Sequence, residues 1–286
     1  MKILMCHDGS KELDKAIRFA AVIAKACDAE VTLLGIVESG SDEIAMQTRL
    51  QQTRALIEGE HVRTELVARS GPPVMEIMEH TETGRYDLVV IGAGLAGVAM
   101  PAKAYELARR IEAPVLLFTG DRITLRKMLI CTGGKTYIEK AIAGAGEIAR
   151  HIGASITLLH VCAEPPLLYA DLIKREEDVG ALLDSTSELG ASLRRQKEML
   201  EKIGVTVEVR LRLGLVVDQV IAEANHDDYD LIVVGSAIAR GPLYQYVLGD
   251  VTREIVNRAR CPVLIARETS PVGAGGFWRR LFGSEA

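Results

Sequence analysis

The chain has 286 residues, with 34 Lys and Arg against 39 Asp and Glu and a formal net charge of -5. That balance supplies no basic field for wrapping nucleic acid and argues against DNA or RNA as a partner. Five cysteines, an odd number with no C-x-x-C pair, argue against a disulfide framework or a structural zinc site.

Met1 is followed almost at once by the apolar run KILMCH (residues 2–7), which reads as a first strand. No charged-then-apolar leader is visible, so a cytoplasmic location is expected. Asp8-Gly9-Ser10 follows, with Ser10 the expected N-cap of a helix whose apolar positions Leu13, Ile17, Ala20, Ala21 and Ala24 keep helical spacing. EVTLLGIV (30–37) is a second strand, mostly apolar as a strand covered on both faces should be. A polar, helix-favouring segment (42–58) leads to a third strand expected over 61–68. Gly71-Pro72-Pro73 then turns the chain into another helix, because proline suits a first turn whose N–H needs no partner.

The most informative stretch is YDLVVIGAGLAG (86–97), a buried strand running into Gly92, Gly94 and Gly97, then a helix opening near Pro101. Strand, glycine turn and helix start are how open α/β sheets cradle phosphate on backbone N–H groups. The apolar run from Leu88 to Ala102 is too short and too glycine-rich to span a bilayer. APVLLFT (113–119) closes the unit as a fifth strand, and five strand–helix alternations call for a parallel sheet with helices on both faces.

The chain then repeats the unit. Cys6 matches Cys131, and Thr32-Leu33-Leu34 matches Thr157-Leu158-Leu159, at a shift of 125; Tyr86-Asp87-Leu88 matches Tyr229-Asp230-Leu231 at 143; Pro114-Val115-Leu116 matches Pro262-Val263-Leu264 at 148. The second copy therefore carries 18 extra residues in the charged stretch 163–202 and five more between Gly235 and Pro262, both in connections that tolerate insertion. The expected domains are 1–120 and 121–268, followed by a glycine-rich linker and an aromatic, basic tail over 269–286.

ILMCHDGS before a helix, TLLGIV, the YDLVVIG strand and the closing APVLLF together resemble the universal stress protein family, and the resemblance covers both copies to about Arg267. It implies two tandem doubly wound five-stranded α/β domains, each with strand order 3-2-1-4-5 and a ligand crevice at the switch point between strands one and four. It also implies that the apolar fifth strands pair, Val115–Phe118 with Val263–Ala266, as an internal pseudo-dimer or between subunits. Asp8 would face a ribose, Ile36 would lie near the base, and the loop from Gly92 would meet the phosphates of ATP or AMP.

Both copies depart from the family's phosphate loop, G-x2-G-x9-G-[S/T]. In the first, the loop is four residues short and its closing Gly-Ser reads Pro101-Ala102; in the second, Gly249 survives but Asp250 follows, and the aspartate of strand one is Gly133. Gly92, Gly94 and Gly97 also spell G-x-G-x-x-G, but after the fourth strand and without the acidic residue a dinucleotide site needs, so a plain tight turn accounts for them too. Asp8 has two readings, a ligand contact or a turn residue fixing Gly9-Ser10. His7 and His160 have no second ligand at metal spacing, and no nucleophile elbow, Walker lysine or H-E-x-x-H is present.

The tail residues Phe277-Trp278-Arg279-Arg280-Leu281-Phe282 read as a hydrophobic plug on their own chain or a second copy, or as a docking peptide for a partner or an anionic membrane face. The expected function is that of a non-enzymatic stress-response protein acting by binding or scaffolding, with an impaired nucleotide site and an unidentified protein partner. An ATP or AMP sensor working through the first copy is the alternative, and a nucleotide-dependent enzyme the third reading.

Overall fold

The structure, a computed structural model, describes residues 1–38, 43–58, 62–92, 101–133, 138–162, 179–236 and 249–267. Gly94, Gly97 and the tail from 268 lie outside them. The first half supplies strands β1 (Lys2–His7), β2 (Glu30–Val37), β3 (Thr64–Ser70), β4 (Leu88–Gly92) and β5 (Val115–Phe118). Its helices are α1 (Asp14–Ala26), α2 (Glu43–Glu58), α3 (Pro73–Gly84) and α4 (Ala102–Arg110). The second half supplies β6 (Lys127–Cys131), β7 (Ser155–Cys162), β8 (Val207–Leu213), β9 (Leu231–Ser236) and β10 (Val263–Arg267). Its helices are α5 (Glu139–Ile152), α6 (Val179–Asp184), α7 (Glu188–Lys202), α8 (Val216–His226) and α9 (Asp250–Arg258).

All ten strands form one sheet in the order β3-β2-β1-β4-β5-β10-β9-β6-β7-β8. Each half is the parallel 3-2-1-4-5 arrangement, and the halves meet where β5 and β10 pair antiparallel, Leu117 opposite Val263 and Val115 opposite Ile265. This pairing removes from solvent the two edges that were too apolar to expose. β3 and β8 remain as outer edges, and both carry charges, Glu65 and Arg69 on one, Glu208, Arg210 and Arg212 on the other.

Strand alternation sorts the core into two layers. Ile3, Met5, Leu33, Val90, Met128 and Leu158 face α1, α2, α5 and α7, whereas Leu4, Leu34, Val89, Leu129, Ile232 and Val263 face α3, α4, α8 and α9. A local two-fold relation runs through the β5–β10 seam. On one face α1 packs on α5; on the other the Arg253 guanidinium lies 5.1 Å from the Tyr105 ring, two positions that match under the 148 shift.

Two expectations need correction. β3 lies over Thr64–Ser70, two residues beyond the expected end at 68, because its register against β2 runs from Val31–Thr64 to Val37–Ser70 and ends where Gly71 N–H bonds the Val37 carbonyl; residue 61, the expected start, lies outside the described residues. Ser10 does not cap α1, which begins at Asp14; the Ser10 N–H is instead held by Asp8 Oδ1 at 2.8 Å, an Asx turn that carries the chain away from helical geometry for one more turn.

The repeated Tyr-Asp-Leu explains itself here. Asp87 accepts the Lys2 N–H at 2.8 Å and Asp230 accepts those of Arg126 and Lys127 at 2.8 and 3.1 Å, so each aspartate anchors the start of its neighbouring strand.

Candidate functional site

In the first half, the C-terminal ends of β1, β2 and β4 converge with α2 and α3 around a cleft of about 560 Å³. That volume suits a small ligand, and the position between strands one and four is where open parallel sheets place one. Ile36, Ile77, Ile91 and Leu13 supply apolar walls, and Asp8, Glu38 and Arg49 supply the charge.

His7 closes the end of β1 and is 2 % exposed. Its Nδ1 accepts the Gly9 N–H at 2.8 Å, so Nε2 carries the proton and donates to Thr53 Oγ1 on α2 at 3.1 Å. Burial, then the Arg49 charge, push its pKa below the ordinary value, against Asp8 and Asp14. His7 is thus a neutral tether holding the Gly9 turn, where φ is +87°, beneath Asp8. Asp8 itself is exposed and takes the Ser10 N–H. Arg49 Nη2 reaches Asp14 at 2.5 Å and the Ser10 carbonyl at 3.2 Å, so its charge is already matched within the protein. Burial raises the Cys6 thiol to about 12, which leaves no thiolate to act as nucleophile.

Gly92 has a packing role. A Cβ placed there would clash with Leu13 Cδ2, and in the second half a Cβ on Gly235 would clash with Ile138 Cδ1. Leu13 and Ile138 match under the 125 shift, and Gly92 and Gly235 under 143. In both halves, the glycine ending the fourth strand gives room to an apolar side chain from the turn after the first.

The predicted site residues are partly brought together. Asp8, Ile36 and Gly92 line one cleft, whereas Gly249 belongs to the other half, as the N-cap of α9. Two further residues carried no motif, Glu38, which lines the cleft, and Lys103, its ion-pair partner. Glu38, directly after β2, receives a 2.6 Å hydrogen bond from Lys103 Nζ in the first turn of α4. The only sequence signal was position, a carboxylate just past a strand end and a lysine two residues after Pro101.

The second half keeps the framework but not these groups. Thr132 and Gln196 bond at 2.9 Å at the positions matching His7 and Thr53, Gly133 stands where Asp8 does, and Val251 stands where Lys103 does, 46 % exposed. His160 Nδ1 lies 2.8 Å from the Thr132 carbonyl, which its N–H occupies. Among the described residues no group of three or more His, Cys, Asp or Glu could hold a metal ion, and no helix is long and apolar enough to cross a membrane.

The family described as the universal stress protein family matches residues 1–118 and again 124–267. A universal stress protein of Synechocystis is 22% identical, with 93% of this chain and 99% of the relative covered. One from Methanocaldococcus jannaschii is 26% identical over 143 residues, 50% of this chain and 82% of that protein. Among solved structures, a universal stress protein from Archaeoglobus fulgidus superposes with a TM-score of 0.70 at 18% identity, covering 93% of this chain and 98% of that one. The repeated unit, the sheet order and these matches agree: the chain belongs to the universal stress protein family, with two family units in tandem.

Proposed function

We propose that this is a stress-response protein that works by binding rather than catalysis. Its ligand capacity is placed in the first-half cleft, and the second half serves as a structural counterpart. The observation that supports this reading is the asymmetry at the switch points. The first half has a cleft with Asp8 and Glu38 at its rim, whereas the matching position to Asp8 is Gly133, open to solvent, in the second. The reading against catalysis rests on the cleft's groups: a thiol held protonated, a histidine with both ring nitrogens engaged, and an arginine already paired. The shortened loop and the Pro101-Ala102 pair weaken the grip on phosphate, so the nucleoside portion of an adenine nucleotide is the part the cleft is suited to hold.

Calorimetric titration of the full chain with adenosine, AMP and ATP tests this. Adenosine is expected to bind at least as well as ATP and to lose affinity in Asp8→Ala. Micromolar ATP binding far tighter than adenosine, abolished by Asp8→Ala, overturns the impaired-site reading in favour of a true nucleotide sensor. Turnover of ATP lost in the same variant overturns the non-enzymatic one.

A further inference from the structure

Resting on the role proposed above for the first-half cleft, we infer that Glu38 is a built-in competitor for a ligand's phosphate, occupying Lys103, the cation that would otherwise receive it. The Lys103 Nζ–Glu38 Oε1 contact of 2.6 Å joins positions 65 apart in the chain and links the end of β2 to the first turn of α4. In the sheet, β1 and β4 lie between β2 and β5, so the ion pair joins elements on either side of the switch point, and its carboxylate end, Glu38, lines the cleft.

Three observations make Lys103 a receiver of anions and Glu38 its internal substitute. The first turn of α4 contains no acidic residue, and its N-cap, Pro101, offers no side-chain acceptor, so the helix end itself favours negative charge. Both partners are 59% exposed, and an exposed ion pair is weakly held, so an incoming dianion can displace the carboxylate. The second half, which lacks the cleft aspartate, lacks the cation as well: Val251 occupies the position of Lys103, next to Asp250 in the first turn of α9. The aspartate after the first strand and this lysine are therefore both present in the first half and both replaced in the second. A phosphate monoester on a ligand seated in the cleft must take Lys103 from Glu38, whereas an unphosphorylated nucleoside need not. Glu38 thus sets the preference between them.

Titration of the full chain, its Glu38→Gln and Lys103→Gln variants and the double variant with adenosine, AMP and inorganic phosphate tests this. Glu38→Gln should tighten AMP about 5-fold, the equivalent of one exposed ion pair, and leave adenosine unchanged. Lys103→Gln should remove that gain in the double variant. An equal gain for adenosine, no gain for AMP, or a gain for AMP that survives Lys103→Gln overturns the inference while leaving the cleft's binding role intact. Inorganic phosphate gaining as much as AMP also overturns it, because the anion site would then be independent of the cleft. If adenosine binds none of the four proteins, the proposed role of the cleft fails, and the inference with it.

Discussion

The two halves share one backbone plan and wire its third helix differently. In the first, Tyr86 Oη meets His80 Nε2 at 2.8 Å, a neutral contact with the imidazole pushed below its ordinary pKa by burial and then by Arg69. In the second, the matching pair is Tyr229 and Glu223, and the Glu223 carboxylate also accepts from Arg210 and Arg212, each at 2.5 Å, while Arg210 pairs with Asp227 and Lys127 lies over the Tyr229 ring. Burial works to raise the Glu223 pKa, but hydrogen bonds from Arg212, Arg210 and Tyr229 outweigh it, and the group stays ionised below the usual carboxylate range. The lesson is that duplication let polar side chains diverge in opposite directions. One copy spent them on a charge network beside its outer edge strand, and the other kept a plain contact there and charged groups around a cleft.

That contrast can be broken most directly at Glu223. Glu223→Ala leaves two arginines facing an emptied, largely buried position and should cost about 3 kcal/mol in urea unfolding, whereas His80→Ala, at the matching position, should cost about 1 kcal/mol. Equal costs would mean the network adds nothing to the second half. The fourth-strand glycines come next. Gly235→Ala meets β-branched Ile138 at its Cδ1 and Cγ1 and should cost about 2 kcal/mol, but Gly92→Ala meets only the far end of Leu13 and should cost about 1 kcal/mol, recovered in part by Leu13→Ala.

Acid should separate the halves in a fixed order. His7 and His80 are held neutral when folded, so below the ordinary histidine value of 6.5 the unfolded chain binds more protons and the first half loses stability. Glu223 and Asp227 are depressed, so their contribution persists above the ordinary carboxylate values of 4.5 and 3.8 and is lost only as pH falls past them. Hydrogen exchange at pH 5 should show β1 and β3 opening before β6 and β8; the reverse order would contradict the histidine assignments. The smallest effect is expected at the seam, where Arg253→Ala removes the cation over Tyr105 and should cost about 0.5 kcal/mol, because β5–β10 pairing carries that junction.

Much of this was legible in the chain. Apolar β-branched runs at a fixed order, repeated at shifts of 125, 143 and 148, specify strands, helices and two copies, because burial on both faces of a parallel sheet demands continuous apolar segments. The apolar fifth strands likewise demanded a partner. Only the tertiary structure decided the roles of particular polar residues. Ser10 has the chemistry of a cap but is taken by Asp8, and Gly92 has the look of a phosphate turn but makes room for Leu13. Glu38 and Lys103, with no motif between them, meet because β2 and α4 flank the same crevice. Hydrophobic pattern is periodic and local, so a sequence displays it; a hydrogen bond between positions 65 apart depends on strand order, which no local pattern encodes.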